Sequence, residues 1–240
     1  DDASVLIVNT CGFIEEARQE SIAALRELAE LKQPNQLLIA AGCMAQRYGA
    51  EVVEWAPGVD GVIGTRRWMD IVRFVRQLRR SKHPEPLYHL PDEATTVGKD
   101  EQGVLRTAVQ GRSAYLKIAD GCRRPCAFCA IPQITGTHVS RPPQAIIAEA
   151  RRLQDAGMQE LILIAQDTTD YGHDLGLKDG LAVLLEGMAQ AAPNVDWLRI
   201  LYAYPGYVTD RLIDVMAAHK QIVPYLDMPL QHAHPEMLKR

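Results

Sequence analysis

Seven short apolar runs, each followed by a helical pattern or a loop, constrain this 240-residue chain more than any other feature. In the first third, "VLIVNT" (5–10) leads into residues 15–32, where Ile22, Leu25, Leu28 and Leu31 fall at helical spacing. Pro34 and Asn35 stop that helix, and "QLLIAAGC" reads as a second buried strand. A helix over 45–55, the strand "GVIGT" and a helix over 67–80 follow, the last with Ile71, Phe74, Val75 and Leu78 on one face. Apolar runs separated by helices predict a parallel sheet with covered faces.

Residues 83–112 hold three prolines and no sustained periodicity, and read as a linker with at most a short strand. The rhythm then restarts. "AYLKIAD", "ELILIAQD", "WLRILYAYP" and "PYLDMPLQ" are strand candidates, with helices over 143–156, 181–191 and 208–219 between them. This predicts an α/β chain of three parts: a parallel-sheet domain over 1–82, a linker over 83–112, and a βα barrel or partial barrel over 113–240. In such a barrel the active site gathers at the C-terminal ends of the strands.

The composition suits a soluble globular protein, 47% hydrophobic and 23% charged. A net charge of −4 argues against nucleic-acid binding driven by overall charge. It leaves room for a local patch, and "RFVRQLRRSK" (73–82) reads either as a solvated helix face or as an RNA contact. No apolar run approaches the roughly 20 residues of a membrane span. With an odd count of five cysteines and no export signal, metal or redox chemistry in a reducing cytoplasm is expected rather than a disulfide framework. The chain opens without Met and stops within a helical pattern at "PEMLKR", so it reads as a fragment.

Three of the five cysteines lie in "DGCRRPCAFCAIP" (120–132), directly after a strand candidate. A closed structural zinc site wants four ligands, and His138 or His173 would have to complete it. A cubane iron–sulfur cluster normally takes four thiolates. Three thiolates leave one iron open to a substrate or cofactor, which accounts better for the count. His232 and His234, around Ala233, read as loop residues or as metal ligands. "AQDTTDYG" (165–172) follows a strand and would lie on the active face, with Gln166, Asp167 and Thr168 as candidate ligand contacts or as an ordinary polar loop. In "SRPP" (140–143), Ser140 and Arg141 are candidate contacts, whereas the prolines equally mark a helix start.

The spacing Cys122-x3-Cys126-x-Phe128-Cys129 resembles the signature of radical S-adenosylmethionine enzymes. The resemblance implies a 4Fe–4S cluster on Cys122, Cys126 and Cys129, with S-adenosylmethionine chelated at the open iron and reductively cleaved to a 5′-deoxyadenosyl radical. Phe128, Gln166, Asp167, Thr168, Ser140 and Arg141 then become candidate cofactor contacts. "NTCGFIEEARQES" and "AAGCMAQRY" further resemble the N-terminal domain of methylthiotransferases. That implies a second 4Fe–4S cluster on Cys11, Cys43 and a third cysteine upstream of this chain. "NTCGFIEEA", "IAQDTTDYG" and "YLDMPLQH" are similar to the branch that methylthiolates an aspartate of a small-subunit ribosomal protein. The other branch modifies a tRNA adenosine. The implied partners are that protein or the ribosome and an electron donor. The resemblance covers residues 4–240, with departures at Thr135, where relatives often carry Arg, and at His234, where they often carry Ser. The end of the barrel and a C-terminal RNA-binding-type β domain are also expected to be missing. A non-catalytic zinc or iron–sulfur module is the alternative from another class.

Overall fold

The computed structural model describes residues 3–81, 85–91 and 107–239. The chain divides into two compact units, residues 1–95 with 128–136 and residues 96–127 with 137–240.

In the first unit, β1 (Val5–Thr10), β2 (Leu37–Gly42), β3 (Gly61–Gly64) and β4 (Leu87–His89) pair side by side in that order, all parallel. The helices between them are α1 (Glu15–Leu31), α2 (Cys43–Tyr48), α3 (Glu51–Trp55) and α4 (Ile71–Arg80). Successive strand residues point to opposite faces, and both faces are apolar. Leu38, Ala40 and Val62 pack with Ile22 and Leu25 of α1 and with Met44 and Val52, while Ile39 and Ile63 pack with Phe74 and Leu78 of α4. The helix expected over 45–55 is two helices, because Gly49 takes φ +54° between them.

The second sheet begins with β5 (Thr107–Gln110) and β6 (Ser113–Lys117). There follow β7 (Ala119–Asp120), the short helix α5 (Ile131–Ile134), which clusters with the first unit, and β8 (Val139–Ser140). Then come α6 (Pro143–Asp155), β9 (Glu160–Ile164), α7 (Gly180–Ala191), β10 (Trp197–Ile200), α8 (Asp210–Ala218), β11 (Ile222–Leu226) and α9 (Pro235–Leu238). The sheet order is β11-β10-β9-β6-β5, parallel except for β5. Ala114, Leu116, Leu161, Leu163, Leu198 and Ile200 form the core with Ile146, Ala150 and Leu153 of α6, Leu185 and Met188 of α7, and Leu212 and Val215 of α8. The helices therefore cover one face, as around a partial barrel.

Within the expected linker, β4 joins the first sheet and β5 the second, while residues 82–84 and 92–106 lie outside the described residues. Thr107–Gln110 was legible only as a short strand at most, yet it forms the antiparallel edge. The run "WLRILYAYP" leaves the sheet at Ile200 because Tyr202 adopts φ +60°, held by its N–H donating to Asp227 Oδ2 at 3.1 Å.

Candidate metal centre

β7 and β8 pair antiparallel, Ala119 with Ser140 and Asp120 with Val139, and so pin both ends of the segment that carries the cysteines. Residues 121–127 have no helix or strand, and Gly121 turns the chain with φ +71°. Cys122, Cys126 and Cys129 are each half-buried, and none of the five cysteines is in a disulfide. The Arg124 N–H donates to Cys122 Sγ at 3.4 Å, the kind of bond that stabilises a thiolate ligand. By donor chemistry, three accessible thiols with nothing harder among them fit an iron–sulfur cluster. Among the described residues, no three Cys, His, Asp or Glu side chains stand together as a ready-made cage.

The two arginines between Cys122 and Cys126 are held by the loop that follows β9. Arg123 donates Nε and Nη2 to the two oxygens of Asp170, both at 2.7 Å. Arg124 is 7% exposed, and its Nε lies 2.7 Å from Asp167 Oδ2. Its guanidinium stacks over the Tyr207 ring at 3.7 Å and faces the Tyr204 ring at 4.7 Å. Burial is the largest single influence and depresses the Arg124 pKa, but the bond to Asp167 together with the charges of Asp167 and Asp170 outweighs it and the net direction is up. Burial pushes the Asp170 carboxyl up, yet the Arg123 fork and the neighbouring positive groups together hold it below the usual range. Tyr204 is raised, first by burial and then by the Cys126 thiol beside its hydroxyl.

These contacts sort the sequence-predicted residues. Gln166 is exposed and available to a ligand, and Phe128 is 65% exposed. Asp167 is buried and committed to Arg124. Thr168 is fully buried, and its N–H and hydroxyl both donate to the Tyr202 carbonyl. Ser140 is buried; its hydroxyl accepts from Gly172 N–H and its own N–H donates to Asp174. Arg141 is paired with buried Glu149 at 2.6 Å and donates to the Lys117 carbonyl. In this structure Asp167, Thr168, Ser140 and Arg141 therefore brace the loops, with their polar groups turned to the protein. His138 is buried against Ser140, and His173 is exposed. His232 and His234 are exposed loop residues, each accepting from a backbone N–H two residues on.

In the first unit, β1 and β2 pair up to Thr10 opposite Gly42, so Cys11 and Cys43 each follow the last residue of adjacent parallel strands. Their connections approach closely: a Cβ at Gly12 would lie 2.7 Å from the Met44 Cα. Cys11 N–H donates to Ser21, and Arg47 donates to the Gly12 carbonyl at 2.7 Å. Two thiols at one sheet end suit a shared thiophilic ligand.

Sequence reasoning missed Arg123, Arg124, Asp170, Tyr204 and Tyr207. A cavity of about 340 Å³ opens beside them, lined by Arg123, Asp170, His173, Tyr207 and the start of α7. The paired arginines between two cysteines were the one available signal.

The family model described as the radical SAM superfamily matches residues 116–240, and the one described as uncharacterized protein family UPF0004 matches residues 1–64. The chain is 48% identical to the ribosomal protein uS12 methylthiotransferase RimO of Roseiflexus sp. (strain RS-1), covering 100% of this chain and 54% of that one. The protein of the same name from Chloroflexus aurantiacus is also 48% identical, with 100% and 55% covered. The chain thus spans about half the length of the curated relatives it matches. Among solved structures, the radical S-adenosylmethionine methyltransferase TsrM of Kitasatospora setae shares the fold, with a TM-score of 0.65 at 15% identity over 99% of this chain and 50% of that one.

Proposed function

Because the chain belongs to the radical SAM superfamily, we propose that it is the part of a methylthiotransferase that adds a methylthio group to the β-carbon of an aspartate in a small-subunit ribosomal protein. The observation that carries this reading is 48% identity across the whole chain to proteins named for that activity on uS12. Superfamily membership implies a 4Fe–4S cluster and S-adenosylmethionine. When bound, that cluster supplies the electron for reductive cleavage of S-adenosylmethionine, which activates a C–H bond that acid–base chemistry cannot.

Cys122, Cys126 and Cys129 would hold that cluster. Arg123 and Arg124 anchor the segment between the first two thiols to Asp170 and Asp167. Gln166 and Phe128 would contact ligand, a reading supported by their exposure, Gln166 just beyond the C-terminal end of β9. Thr168, Ser140 and Arg141 act by position, holding these loops in register. Cys11 and Cys43 would be two ligands of a second 4Fe–4S cluster that presents the sulfur. An electron donor is required.

A direct RNA contact is also part of this reading. Residues 66–80 carry six arginines and one aspartate, and Arg73, Arg76, Arg79 and Arg80 are exposed on α4. Arg forks suit phosphates. Among the described residues no helix is long and apolar enough to cross a membrane.

The test is iron and acid-labile sulfide per chain after anaerobic reconstitution, together with 5′-deoxyadenosine formation, for the parent and Cys126→Ala. About four of each, lost in the variant along with 5′-deoxyadenosine, is the expected result for one open cubane. About eight, halved in the variant, adds the second cluster. Zinc without sulfide defeats the reading. Methylthiolation of tRNA instead of uS12 would overturn the substrate.

A further inference from the structure

The Arg124–Asp167 pair braces the cysteine loop, but stability alone does not account for two buried charges there. Removing two charges from water costs several kcal/mol per ion, and well-packed apolar residues of similar volume often serve stability as well or better. Arg124 is nonetheless 7% exposed and Asp167 is 1% exposed. The pair is placed inside the cysteine loop. Arg124 lies midway between Cys122 and Cys126, and its own N–H donates to Cys122 Sγ. The Tyr204 ring faces the guanidinium at 4.7 Å and the Tyr207 ring stacks on it at 3.7 Å, so aromatic surface shields the charge. Asp167 is not the only counter-charge to this guanidinium. Arg124 Nη2 is buried, makes no hydrogen bond, and lies 3.6 Å from an Asp170 oxygen already held by Arg123.

We propose that Arg124 is an electrostatic positioning residue for the metal centre: its fixed positive charge, offset by Asp167, raises the reduction potential of the cluster held by Cys122, Cys126 and Cys129. Net charge and hydrogen bonds to sulfur are the terms that set such potentials. In a site shielded from water, a fixed charge acts at far higher strength than on the surface. A cation eases addition of an electron to an anionic cluster and an anion opposes it, so removal of Asp167 should act in the opposite sense to removal of Arg124.

This inference rests on the assignment of the three cysteines as cluster ligands, and the experiment separates the two. The full chain is reconstituted anaerobically, iron and sulfide are counted, and the midpoint potential is read by an EPR-monitored redox titration. The variants are Arg124→Met, which keeps the length and apolar stem, Arg124→Lys, which keeps the charge, and Asp167→Asn. The expected shifts are negative for Arg124→Met, near zero for Arg124→Lys and positive for Asp167→Asn. A merely structural pair would change stability or cluster yield in both Arg124→Met and Asp167→Asn without opposite shifts of potential. Unchanged potentials, or shifts of one sign in those two, overturn the inference while leaving the ligand assignment intact. If Arg124→Met or Asp167→Asn fails to hold a cluster, the other decides, since an unshifted potential there overturns the inference. Parent protein with no sulfide-containing cluster overturns both.

Discussion

Glu149→Ala should be among the most damaging single changes in the second unit outside its apolar core. Glu149 is fully buried and Arg141 is 1% exposed, with Nη2 2.6 Å from Glu149 Oε2. The same guanidinium donates to the Lys117 carbonyl at 2.6 Å, and the buried Tyr171 hydroxyl donates to the Arg141 carbonyl at 2.8 Å. One pair therefore ties α6 to the end of β6, where the cysteine segment begins. Deleting the carboxylate breaks a buried ion pair by removing one partner, which costs about 3–5 kcal/mol. For a chain of this size, that corresponds to a fall in Tm of roughly 6–20 °C. Thermal and urea denaturation followed by circular dichroism would read it, with Arg141→Met/Glu149→Leu as the companion. The double replacement should recover most of the loss, because it removes both charges and leaves neither buried alone. A Glu149→Ala cost below about 1 kcal/mol, the range of solvent-exposed pairs, would refute the reasoning.

Replacing Arg73, Arg76 and Arg80 by Gln should lower the slope of log affinity against log salt for a 16S ribosomal RNA transcript by about 2–3, since each phosphate contact contributes about 0.7–0.9. An unchanged slope, measured by filter binding, would return α4 to a solvated face. Gly61→Ala should destabilise the first unit by about 1–3 kcal/mol through overpacking, because its Cβ would stand 2.7 Å from Leu78 Cδ1 and 2.9 Å from the Phe74 ring; urea unfolding checks it. Burial holds the His138 imidazole below its ordinary pKa, against the opposite pull of Asp170, Asp174 and Asp167. The unfolded chain therefore takes up that proton first as pH falls, and stability is lost from about pH 6.5 downward. His138→Gln should flatten this part of the pH profile, and an equally steep profile in the variant would refute it.

Most of the fold was legible because it rests on local patterns. Strand runs such as "VLIVNT" and "ELILI" and the one-sided face of α4 carry their own periodicity, and parallel pairing follows from the helices between them. The placement of Cys11 and Cys43 at one sheet end followed from that pairing alone. Strand ends were harder. "WLRILYAYP" is apolar well past Ile200, and only a contact from Asp227, 25 residues on, shows why Tyr202 turns away. The candidate site divides in the same way. The cysteine spacing is local and could be read. The partners of Arg123 and Arg124 stand 47 and 43 positions away in "AQDTTD", where acidic residues look equally suited to solvent, substrate or cation. No local pattern distinguishes a carboxylate that meets a ligand from one that neutralises an arginine at the end of the neighbouring strand. Asp167 and Gln166 show how little separates the two roles. They are adjacent in the chain, yet alternation past the end of β9 buries one against Arg124 and leaves the other exposed.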